Sequence, residues 1–198
     1  MMRLYLFILA IVVLAAAPTL VRAGQSAPAG PPMPYEDAGA CPFEGCVYRE
    51  WQANDAVVVR KTRAENGPLV FSVRKGETIT AITGVVVTTS PGQVRFRKPF
   101  VLSSLSGSIH VEPGETLYLL TNRGEGFTKA WFKGKFYDEV DGSTAFFNDI
   151  CATDPNRCAG AIVNQSKQVW WVQIKNAKGQ VGWTNEPDKF DRIDALGD

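Results

Sequence analysis

Residues 169–184 read VWWVQIKNAKGQVGWT, and they decide the fold. Val169, Trp170, Trp171, Val172 and Ile174 are β-branched or aromatic, which suits a pleated, half-buried strand, and NAKG supplies a reversal into a return strand. Gly182, just ahead of Trp183, marks a place where two backbones approach closely, and Trp183 is expected to pack across a small barrel. Successive side chains on a strand point to opposite faces, so Trp170 and Trp171 cannot both enter one core. Trp170 shares its face with Val172 and Ile174 and is assigned to the core. Trp171 shares the polar face of Gln173 and Lys175, which makes it the first candidate for a binding surface.

Upstream, residues 57–89 read VVVRKTRAENGPLVFSVRKGETITAITGVVVTT, three β-branched runs separated by ENGP and RKGE, both turn chemistry. FSVRKGETITAIT (71–83) lies over IHVEPGETLYLLT (109–121) at a separation of 38 residues, which points to a duplicated unit. The second copy continues through GEG and KGK turns around a strand carrying Trp131 and Phe132. Short strands punctuated by turns predict an all-β fold of small barrels with little helix. Asp154 and Pro155 suit the cap and first turn of one short helix.

The W-x-V-x-I strand with its Gly-Trp return, the long polar loop over residues 60–68 and the strand opening at Gly76-Glu77 resemble the bacterial Src-homology-3-like domain. The resemblance covers residues 55–84 and 167–184 and implies a small, non-catalytic β-barrel that binds a peptide, peptidoglycan or an envelope protein. Two arrangements fit. Either two units stand in tandem, 47–100 and 101–198, the second carrying a disulfide loop at 141–166, or one barrel is built from 55–84 plus 167–198 with a long β insertion.

Residues 1–23 read as a signal peptide: Arg3, an apolar run over 4–17, and Val21-Arg22-Ala23 before a cleavage point. The chain is then expected to be secreted or periplasmic, with no membrane contact after cleavage. Two of the 21 basic residues, Arg3 and Arg22, lie in this leader and none of the 20 acidic ones, so the mature chain carries a formal charge of −1. Nucleic-acid capture, which rests on a basic excess, is not expected. Residues 24–46 combine a proline-rich flexible linker with the first cysteine pair. The four cysteines, an even number in an exported chain, favour disulfides. Cys41 with Cys46 and Cys151 with Cys158 each close a short loop containing Pro or Gly, and crossed pairing is the rival.

No catalytic residue, metal site or cofactor is expected. His110 is the single histidine and sits in the alternating SIHVE pattern, and the cysteine spacings exceed those of a zinc knuckle. The carboxylates Glu115, Glu125, Asp138 and Glu139 lie in turns or beside lysines, where they are solvated rather than paired for acid and base work. The aromatic residues are the better candidates. Trp171, Trp131, Tyr137, Tyr48 and Trp51 form the predicted ligand-binding set, as a flat apolar platform on which peptides or sugars stack. The same faces would alternatively dock a protein partner in an envelope scaffold.

Overall fold

The computed structural model describes residues 30–147, 151 and 153–197; the expected signal peptide lies outside them. The strands are β1 (Tyr35–Ala38), β2 (Glu50–Ala53), β3 (Val57–Arg60), β4 (Leu69–Val73), β5 (Thr78–Ser90), β6 (Gly92–Phe96), β7 (Phe100–Leu102), β8 (Ile109–Val111), β9 (Thr116–Gly124), β10 (Phe127–Phe132), β11 (Lys135–Asp141), β12 (Gly160–Asn164), β13 (Lys167–Lys175), β14 (Val181–Thr184) and β15 (Phe190–Asp191). The chain is all-β. Helical backbone among the described residues amounts to single turns, including 3₁₀ turns at Pro155–Arg157 and Pro187–Lys189. The first of these is capped as expected, the Asp154 carboxylate accepting the Asn156 N–H at 3.2 Å.

One sheet runs β15-β2-β5-β13-β14-β3-β4, with β1 also on β5, and a second runs β11-β10-β9-β6-β12; β7 and β8 pair by themselves. In the first sheet, Trp51, Val57, Val59, Phe71, Val73, Ile79, Val172, Ile174 and Phe190 share one core. Strands from both ends of the sheet contribute to that core, so the sheet must curl into a half-barrel. Trp170 packs against this core from the same face as Val172 and Ile174, as its register requires. Gly182 lies where the backbones close in: a methyl group there would stand 2.7 Å from Val59 Cγ1 and 2.8 Å from the Arg60 carbonyl oxygen.

The two sheets repeat one plan. Each contains a run of five strands in the same connection order, β15-β2-β5-β13-β14 within the first sheet against β12-β6-β9-β10-β11, and in each the chain makes a hairpin, β3-β4 or β7-β8, between the second and third strands of that run. The predicted repeat extends to the turn. Gly76 and Gly114 have φ of 85° and 88°, in the left-handed region that favours glycine. Glu77 accepts the Arg74 N–H and Glu115 accepts the Glu112 N–H through side-chain oxygens, both at 2.9 Å. The Gly76 N–H reaches the Ala53 carbonyl and the Gly114 N–H the Phe96 carbonyl, at 2.7 and 2.8 Å.

The units are nested rather than consecutive. Strands β6 and β9 to β12 form the second sheet between β5 and β13 in the chain, and β13 pairs with β5 over nine residue pairs. A boundary at residue 100 therefore cuts the second unit after β6, and residues 167–191 belong with 50–90. The reason is β5: at 13 residues it is long enough to pair β2 with one half and β1 with the other, while β13 spans both. The insert has its own core of Val94, Phe96, Leu117, Leu119, Ala130, Phe132, Val140 and Phe146.

Residues 30–40 also depart from the flexible-linker expectation. Tyr35 through Ala38 pair with Thr88 through Val85, because one aromatic and one acidic side chain after the prolines find partners on the insert. The disulfides Cys41–Cys46 and Cys151–Cys158 are both formed and none is crossed. Thiol titration of the denatured, unreduced protein should therefore find no free thiol. A reading of two or more would overturn the pairing, and reductant should lower the melting temperature, a bridge contributing about 2 to 4 kcal/mol.

Candidate aromatic binding face

The five predicted aromatic residues do not form one platform. Trp51 is fully buried, with its indole N–H donated to the Val47 carbonyl at 2.9 Å and its ring against Tyr48, Trp170 and Phe190. Tyr48 is half-buried; its hydroxyl donates to the Ala40 carbonyl and accepts from Trp170 Nε1 at 3.1 Å. Burial pushes its phenol pKa up, despite opposing contributions from Trp170 and Arg123. Trp171 occupies the expected outer face but is only 6 % exposed. Trp183 lies opposite Gln173 on that same outer face, half-buried beneath the Arg63 guanidinium, and does not cross the core. The polar neighbours in the sequence signalled which face, not whether the long loop over residues 61–68 and other chain covered it.

Trp131 is placed differently. It belongs to neither core cluster, yet it is 4 % exposed. On β10 it stands directly opposite Tyr118 of β9 and Phe136 of β11, and Tyr118 stands opposite Gln93 of β6. Directly opposed residues share a face, so Tyr118, Trp131 and Phe136 form a row across three strands on the side away from the insert core. Tyr118 meets Trp131 edge-on, with ring centroids 5.5 Å apart. Tyr137 pairs with Ala130, packs on the core side and cannot join the row. Tyr118 and Phe136 were missed in the sequence reading, although the KG turn after Phe132 implies that Trp131 faces Phe136 in a two-residue hairpin.

The end of the proline-rich stretch lies on this row. A methyl group on Gly30 would stand 3.6 Å from the Tyr118 ring, and Tyr35 stacks on Phe136 with centroids 5.1 Å apart and planes at 29°. Alternation along β1 directs Tyr35 and Asp37 to the insert and Glu36 to the other side, where it pairs with Arg63 at 2.8 Å. Asp37 is buried and binds Arg123 at 2.8 Å and Lys129 at 3.3 Å; Lys129 also binds Asp138 at 2.9 Å and sits 5.8 Å from the Tyr35 ring centroid. Burial disfavours the Lys129 ammonium, but Asp138, Tyr35 and Asp37 together outweigh it and hold its pKa above the ordinary lysine value.

Among the described residues, no three His, Cys, Asp or Glu side chains converge as metal ligands. His110 is exposed on β8. Glu115 is desolvated, yet its bonds to Lys133 and the Glu112 N–H hold its carboxyl below the usual range, and Asp138 is committed to Lys129. Apart from the aromatic face, the half-barrel has an open depression of about 440 Å³ between β4 and the turn at 176–180, floored by Phe71, Val73 and Ile79 and rimmed by Arg74 and Lys178. No family model, curated protein or solved structure matches this chain.

Proposed function

We propose that this chain is a non-catalytic binding protein of the cell envelope, secreted or periplasmic, and that it recognises a peptide or peptidoglycan-type ligand through the row Tyr118, Trp131 and Phe136. Both units are read as Src-homology-3-like, one nested in the other. Two disulfides in an all-β chain favour an oxidising compartment. The observation that carries the binding role is the row itself. Three aromatic rings stand in a row outside either core, with Phe136 still open to solvent, and such rings offer the apolar contact that peptides and sugars use.

The test is retention of the protein on purified peptidoglycan and on envelope extract. Wild type should be retained saturably, and Phe136→Ala, at a position already 42 % exposed, should stay folded and lose most of the retention. Val181→Ala, at the equivalent place in the outer unit and 41 % exposed, should leave it unchanged. Equal retention of wild type and Phe136→Ala would reject the row as the binding surface.

A further inference from the structure

The internal duplication supplies its own control for the aromatic row. The matched turns place Ala53 with Phe96 and Glu77 with Glu115, so Gln93, Tyr118, Trp131 and Phe136 of the insert correspond to Glu50, Thr80, Lys175 and Val181 of the outer unit. Those four residues are likewise mutually paired, Glu50 and Lys175 each with Thr80, and Lys175 with Val181. In the outer unit this row holds no aromatic side chain and is largely open to solvent. The fold therefore does not require aromatic side chains there, and the insert has three.

What lies on the row is GPPMPY, residues 30–35. Gly30 rests on the Tyr118 end and Tyr35 on the Phe136 end, and Trp131 between them keeps 4 % exposure. Tyr118 and Phe136 lie two strand spacings apart, about 9 to 10 Å, and residues 30–35, which bend at Met33 and Pro34, reach from one ring to the other. Prolines 31, 32 and 34 have φ already restricted, so little backbone entropy is lost on docking, and rings of Tyr and Trp are the surface such segments use.

We infer that the row is a binding site for a proline-rich peptide and that residues 30–35 are its resident ligand, held by the same chain and displaced when a partner segment of the same chemistry binds. This rests on the reading of the row as the binding surface. It lies on the insert and uses none of the half-barrel's Trp51, Trp170 or Trp171. Because the resident segment runs directly into β1, its effective concentration is high, and a peptide in trans must compete with it. The apparent affinity of the wild-type site falls by the fraction of time it stands open.

The experiment titrates the peptide GPPMPYE into the full chain by calorimetry. Tyr35→Ala removes the stack on Phe136, and Pro31→Ser with Pro32→Ser weakens the resident segment without touching β1; melting curves verify that each variant is folded. Both are expected to bind the peptide at least tenfold more tightly than wild type. A peptide with all three prolines changed to Ala should bind at least tenfold more weakly, and Phe136→Ala added to Tyr35→Ala should abolish binding. Absence of saturable binding to either folded variant, or equal binding of the alanine peptide, overturns the inference. If the protein is still retained on envelope material in that case, the broader binding role stands without it; if retention fails too, both fall.

Discussion

Trp51→Ala is expected to cost about 3 to 5 kcal/mol, the range for truncating a large buried ring, and to lower the melting temperature by roughly 10 to 15 °C in a chain of this size. Trp51 is the largest fully buried side chain of the half-barrel, and its ring touches Tyr48, Trp170 and Phe190, which come from three separate parts of the chain. Truncation leaves a cavity between them and strands the Val47 carbonyl that accepted its N–H. The total stability of a domain is about 5 to 15 kcal/mol, so this one residue is a large share of it. A loss under 1 kcal/mol in chemical denaturation would mean that the half-barrel core is not organised as described. Trp183→Ala should cost less than Trp51→Ala, because Trp183 stacks under Arg63 outside the core.

Local pattern was enough to read the strands, the turn chemistry and the disulfide loops, because each depends on residues close in sequence. The 169–184 hairpin, the close approach at Gly182 and the repeated Gly-Glu turn all follow from spacing and residue type alone. Nesting was one of the two arrangements the sequence offered, and local pattern could not choose it, since the 76 residues between β5 and β13 carry no local mark that they close a sheet of their own. Burial of Trp171 was illegible for a related reason: alternation assigns a face, and only tertiary packing says whether that face is covered. The candidate site was half legible. Trp131 was identified, but its row with Tyr118 and Phe136 depends on the register of three strands, and its covering segment was read as a tether because four prolines left little in it that could pack.

Asp37→Ala is expected to cost about 3 kcal/mol, as expected when a buried ion pair loses one partner. The carboxylate is buried between Arg123 and Lys129, so its removal leaves the Arg123 guanidinium without that partner and Lys129 with Asp138 alone. The pH dependence follows from Lys129. Its folded-state pKa is raised above 10.5, so its contribution is fully present below that value and is lost only as pH rises through the raised one. The cost of Asp37→Ala should therefore be the same at pH 6 and pH 9. The exposed Arg63–Glu36 pair should behave differently, contributing about 0.5 kcal/mol and fading in salt. Asp37 shares its strand face with Tyr35, so loosening β1 at Asp37 also loosens the stack on Phe136. A variant that melts earlier should consequently bind GPPMPYE more tightly than wild type at a temperature where both are folded. A cost below 1 kcal/mol, or one that vanishes in 0.5 M salt, would show that the Asp37 cluster does not clamp β1 to the insert.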